Sequence, residues 1–255
     1  LVPNEHGVGV RNPGTVSAGP GGLTVTGEGQ LLNRGTATAQ GTVDLQARQI
    51  TNRGDIHAES ALMLDAETTI DNRDARISGQ YNVTVRADII DNRNGELLAG
   101  ERLEVTADHH IDNGGGLFFG VQGLSLVSGS MAGDGQWLSQ GDIEATIHSD
   151  YRHQGEMIAG GSLALSADGR LTNDGRMDAV SATIDAESVE NRNGSEITAG
   201  QLDLDARDRL ENHGLIDGEY VTLRATDVIN HPDARLYGND RSVTAATLRN
   251  LGDEK

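Results

Sequence analysis

The sequence predicts an all-β fold, a right-handed parallel β-helix (β-solenoid) of about 12 coils with about 20 residues per coil. Three observations predict it. A short unit centred on asparagine recurs along the chain. Each unit holds stretches in which apolar and polar residues alternate. The apolar residues are mostly Val, Ile, Leu and Ala, with only 3% aromatics. Period-two alternation marks strands with one buried and one wet face. Short strands locked to one repeat length favour stacked coils over a sandwich. A helical repeat is set aside, because no window sustains apolar residues at i, i+3 and i+4, and β-branched residues and glycine are frequent.

The unit reads outward from its asparagine, as in "LLNRG", "ITNRG", "IDNRD", "LTNDG" and "LENHG". Asn12, Asn33, Asn52, Asn72, Asn92 and Asn113 are followed by Asn173, Asn191, Asn212, Asn230 and Asn250, with spacings of 18 to 21 residues and one gap of 60. Gly133 and His153 divide that gap into three and mark two imperfect units. An apolar residue stands two positions before the asparagine, as at Ile50, Ile70, Ile90, Ile111, Leu171, Val189 and Leu210. Glycine usually follows two positions after it. A short step such as "IHA" or "ISG" comes next, then a longer alternating stretch such as "VDLQA" or "LDLDA". In "LALSA" the alternation sends Leu163 and Leu165 inward and Ala164 and Ser166 outward.

The asparagine has a physical role in such a coil. Its amide both donates and accepts, so asparagines stacked at one corner bond from coil to coil. It also tolerates the left-handed backbone of a tight corner. Asn33, Asn52, Asn72, Asn92, Asn113, Asn173, Asn191 and Asn212 form the expected corner ladder. Residues 1–22, rich in Pro and Gly, read as a first irregular coil. Residues 23–255 read as continuous β-helix, with an irregular aromatic-containing stretch at 114–140.

Composition narrows the function. The net charge of −19 argues against a nucleic-acid or anionic-membrane surface, either of which favours Lys and Arg. No apolar run approaches the roughly 20 residues that span a bilayer, so no membrane insertion is expected. There is no cysteine. This suits an exported bacterial protein, though cytosolic proteins can lack cysteine too. The chain opens on Leu without a signal peptide and reads as a piece of a longer protein.

The units "IDNRNGELLAGERLEVTA" (90–107) and "VENRNGSEITAGQLDLDA" (189–206) resemble filamentous haemagglutinin repeats, and the likeness covers nearly the whole chain. That family comprises large bacterial exoproteins of two-partner secretion systems, including adhesins and contact-dependent growth-inhibition effectors. The resemblance implies a β-helical shaft, exported through an outer-membrane transporter and displayed on the cell surface. It further implies a receptor on a neighbouring bacterium or a host cell as a partner. It carries over no toxin or secretion residues, because the whole chain reads as shaft.

Site candidates follow from the residue types. Arg53-Gly54-Asp55 is the triplet that many integrin ligands display on a turn. Counting by column, Arg follows the register position in five of thirteen units, Gly is second in nine and Asp third in three, so about 0.8 such triplets arise by chance. Phe118, Phe119 and Trp137 are the candidate partner contact, since exposed aromatics anchor interfaces. Alternation puts Phe118 and Phe119 on opposite faces, so one of them can also turn inward. Paired acids such as Asp203 and Asp205, or Glu187 and Glu190, raise a polysaccharide-active enzyme as an alternative. That reading needs cleft walls, and no long insertion supplies them. His109 and His110 point to opposite faces, and His148 and His153 lie about two coils away. No catalytic residue, cofactor or metal site is expected, and the segment reads as structural.

Overall fold

A computed structural model describes residues 8–251. Among these residues there is no helix, and parallel strands wind into a β-solenoid of about 12 turns with ~20 residues per turn. Most strands bond to the equivalent strands one coil before and one coil after. Asp55–Ala58 lies between Thr36–Ala39 and Arg76–Gly79 in this way. Adjacent strands at about 4.8 Å make the rod roughly 55 to 60 Å long.

Each coil has three faces. A four-residue strand follows the asparagine corner, as in Asp55–Ala58. A longer strand such as Val43–Asn52 supplies the other two, with a register shift between Ala47 and Gln49 where the chain bends. In later coils the bend after the first face is also extended, so Arg176–Asn191 and Glu196–Asn212 run for 16 and 17 residues.

The register stacks like on like. Ile50, Ile70, Ile90 and Ile111 form one inward column. Ala39, Ala58, Gly79, Ala99 and Gly120 form another at a vertex, where two faces converge and only small residues fit. This narrow interior accounts for the aliphatic composition. Leu163 and Leu165 are buried, Ala164 is exposed, and Ser166 is half-buried beside Asp185.

Two corner forms coexist. In the tighter one the chain turns on Asn-x-Gly. In the longer one an added residue takes a positive φ, as at Asp74 (54°) and Asn94 (53°), and at Gly115 and Gly194. Asp and Asn are the non-glycine residues that enter this region at least cost.

Val8–Asn12 and Thr15–Ala18 pair with the next coil, Asn12 opposite Asn33 and Thr15 opposite Thr36, with a register shift between Val8 and Val10. Residues 1–7 lie outside the described part. In the 114–140 stretch Leu117–Gly120, Gly123–Ala132 and Gln136–Ser139 pair with neighbouring coils, with one register shift where Ser128 and Ser130 face Ala107 and His110. Backbone pairing sets the path, and aromatic content alters only what fills the interior.

Candidate functional site

The corner that follows the third face gathers most of the chain's special chemistry. Within each run, a ladder asparagine donates its amide to the side-chain carbonyl oxygen of the next. The bonds run Asn12 to Asn33 (2.8 Å), Asn33 to Asn52 (2.8 Å), Asn52 to Asn72 (2.9 Å), Asn72 to Asn92 (2.7 Å) and Asn92 to Asn113 (2.7 Å). A second run goes Asn173 to Asn191 (2.9 Å), Asn191 to Asn212 (2.8 Å), Asn212 to Asn230 (2.9 Å) and Asn230 to Asn250 (3.0 Å). The amides also donate to backbone carbonyls, as Asn52 does to Gly54 and Arg76. Buried polar atoms cost little only when paired, and this column pairs them.

Outside the ladder runs a column of ion pairs. Asp71 accepts from Arg73 Nε at 3.0 Å and from both terminal nitrogens of Arg53, with Nη1 at 2.7 Å. Arg73 reaches Asp91 at 3.3 Å, and Arg93 binds Asp91 at 2.6 Å and reaches Asp112 at 3.5 Å. Burial of Asp71 acts to raise its pKa, but the hydrogen bonds from Arg73 and Arg53 outweigh it and hold the carboxyl well below the usual carboxylate range. These charges lock neighbouring coils together.

The Arg53-Gly54-Asp55 triplet sits inside this corner. The Arg53 guanidinium is bound to Asp71, and Nη1 also donates to the Asn52 carbonyl at 2.8 Å. A Cβ on Gly54 would lie 2.1 Å from the Gly35 carbonyl oxygen, so the glycine serves close approach of successive coils. Asp55 is exposed and begins a strand.

The ladder breaks at Gly133 and His153. Gly133 has φ +107°, and a Cβ there would meet the Gly114 nitrogen at 2.3 Å, so no asparagine fits this backbone. His153 stands in register with Asn173. Its Nε2 bonds to the Arg176 carbonyl at 3.1 Å, the type of bond that Asn173 makes to Glu196, and its Nδ1 faces the Tyr151 hydroxyl at 3.2 Å. Trp137 stacks on Tyr151 at 5.7 Å and meets His153 edge-on at 6.3 Å. Rings from three interior columns therefore converge where the ladder is interrupted. Burial lowers the His153 pKa to about 4 and pushes the Tyr151 phenol up.

This corrects the aromatic partner contact. Phe118 and Trp137 are 0% and 2% exposed and stand in register with each other in one interior column, so their rings belong to the core. Phe119 points to the outer face and is half-buried.

One acid of each pair is engaged elsewhere. Asp203 is bound by Arg224, and Glu190 by Arg170 (2.6 Å) and Arg192 (3.2 Å). Open surface depressions of about 440 Å³ lie near Asp178 and near Leu236, without loop walls around them. The histidines singled out from sequence do not converge. His109 bonds Asp88 of the preceding coil at 2.6 Å, His110 bonds Ser130 of the following coil at 2.8 Å, and His148 bonds Asp168 at 2.9 Å.

A different set does converge. His213 and His231 stack with ring centroids 3.6 Å apart and 17° between planes. Glu211 Oε2 lies 3.7 Å from His213 Nε2 and 3.9 Å from His231 Nε2. Sequence reasoning passed over this set, although its signal was in the alignment. "LENHG" and "VINHP" put histidine directly after the ladder asparagine in successive coils.

Comparison with known proteins decides the family. The haemagglutinin repeat matches residues 12–78, 58–129, 115–178 and 179–214. The chain belongs to the haemagglutinin repeat family. Its relatives include the deoxyribonuclease CdiA of Dickeya dadantii, 30% identical over 68% of this chain, and the tRNA nuclease CdiA of Yersinia mollaretii, 27% identical over 74%. The 16S rRNA endonuclease CdiA of Enterobacter cloacae is 26% identical over 72%. The chain spans only 5 to 7% of the length of these relatives. No solved structure matches it. As a run of haemagglutinin repeats, the chain is a β-helical shaft segment of a secreted, cell-surface exoprotein.

Proposed function

We propose that this shaft is a rigid spacer in a growth-inhibition exoprotein, holding an effector or receptor-binding module away from the producing cell. The observation that carries the reading is parallel strand pairing from coil to coil between Val8 and Asn250, which makes the segment one continuous rod. The role is mechanical, and the segment is not an enzyme. The nuclease names belong to relatives of which it spans a small fraction. Export through an outer-membrane two-partner-secretion transporter follows from the family, and parallel coils that bond only to their neighbours suit folding one after another as the chain emerges. The receptor on a neighbouring bacterium or host cell would be met by another module.

The second reading is an adhesive surface on the shaft, which the exposed Asp55 favours. One experiment separates the two. In the parent exoprotein, exposed residues of 52–214 are substituted in blocks, with Asp55→Glu as a separate variant, and surface display and target-cell contact are scored. The spacer reading expects display and contact to survive every block. Loss of contact on Asp55→Glu, with display intact, would falsify it in favour of adhesion.

A further inference from the structure

We infer that Glu211, His213 and His231 bind one divalent transition-metal ion, of which Zn²⁺ is the representative, and that the ion clamps two successive coils at the asparagine corner. The corner's own pattern shows what is unusual here. In earlier coils an acid precedes the ladder asparagine and an arginine follows it, as in Asp71/Arg73, Asp91/Arg93 and Glu190/Arg192. Arginine donates and cannot ligate a metal. In two successive coils the arginine gives way to His213 and His231, while Glu211 keeps the acid. The Asn212–Asn230 bond fixes the two histidines exactly one coil apart.

The geometry suits an ion better than it suits hydrogen bonds. The 3.7 and 3.9 Å separations from Glu211 Oε2 are too long for hydrogen bonds. His231 Nε2 is buried with no partner, a costly state that an ion would relieve. Oxygen and nitrogen ligands stand about 2.0 to 2.2 Å from Zn²⁺, so two ligands of one ion lie up to roughly 4.2 Å apart. The ligand atoms of the three residues all lie within 4.8 Å of one another, and rotation of the half-exposed rings out of their stack would aim both imidazole lone pairs at one ion. Arg209 Nη1 donates to Glu211 Oε1 at 3.3 Å and orients the carboxylate, leaving Oε2 to face the imidazoles. Two imidazoles and one carboxylate suit Zn²⁺, Cu²⁺ or Ni²⁺, whereas Ca²⁺ and Mg²⁺ prefer all-oxygen shells. A water would complete a tetrahedral shell.

The test uses the 255-residue chain stripped of metal and titrated with Zn²⁺ by calorimetry. One equivalent is expected to bind at roughly micromolar affinity or tighter, and saturation raises the melting temperature by several degrees. His213→Gln, His231→Gln and Glu211→Gln each weaken binding at least about tenfold, while His109→Gln, far along the rod, does not. Mg²⁺ at equal concentration leaves the melting temperature unchanged. Absence of saturable Zn²⁺ binding, or full affinity in both histidine variants, overturns the site. Should a variant misfold, the wild-type chain with Co²⁺ still decides. An intense four-coordinate visible spectrum supports the site, and a weak six-coordinate spectrum at saturation overturns it.

Discussion

His153 shows how one residue can substitute for another of different chemistry when the backbone is fixed. Its Nε2 makes an asparagine-like bond to a carbonyl of the next coil, and its Nδ1 meets Tyr151. Both interactions are met by a neutral ring, and burial keeps the pKa at about 4, below the ordinary 6.5. The unfolded chain then binds more protons than the folded one between about pH 4 and 6.5. Stability falls as pH drops through that window, by roughly 3 kcal/mol in full. Asp71 acts separately, because its lowered pKa costs stability only as pH falls below the ordinary carboxylate range. Urea unfolding of wild type and His153→Asn at pH 7 and pH 5 checks the prediction. The loss on acidification should shrink by about 2 kcal/mol in the variant, and an equal loss in both would assign the proton uptake elsewhere.

At the scale of strands, alternation in the sequence decides which face a side chain occupies, and the stack decides how much the choice matters. Leu163 sits between Ile143 and Ala182 in an interior column, while Ala164 lies between Glu144 and Thr183 on the outer face. Leu163→Asp buries a charge without a partner and should cost several kcal/mol. Ala164→Lys places its charge in water beside Glu144 and should change stability by less than about 1 kcal/mol. Ser166 would be a poorer control, because an acid there faces Asp185. Thermal denaturation of the two variants checks the face assignment, and equal destabilisation would refute it. The repeat made these faces legible before any coordinates, since every column is sampled about a dozen times. Phe118 and Trp137 were less legible. Alternation permits an inward ring but does not show that the interior has room for one. The rings beside Trp137, those of Tyr151 and His153, come from another strand, so their packing is not written in the alternation of its own. The histidine pair was legible in principle. It required reading down a column from one coil to the next, not along the strand.

The whole molecule behaves as a one-dimensional stack, so its stability is a sum over coils and the interfaces between them. The coil is therefore the natural unit of change. Deleting 52–71 joins Thr51 to Asn72 and removes one complete turn. Asn33 then faces Asn72, and Ile50 still precedes a ladder asparagine by two positions. The Arg53–Asp71 pair leaves as a unit, and Arg73 keeps Asp91. Deleting only 52–61 joins Thr51 to Leu62. That places a second-face strand where a corner should be and takes the inward columns out of phase. The first deletion shortens the rod by about 4.8 Å and costs one coil's share of a redundant array. The second leaves two half-stacks that cannot pair across the junction. Circular dichroism and melting should find the 20-residue deletion fully β, with one cooperative transition within about 5 °C of wild type. The ten-residue deletion should melt at least about 10 °C lower or in two steps. Similar behaviour of the two deletions would mean that stacking in register does not hold the shaft together.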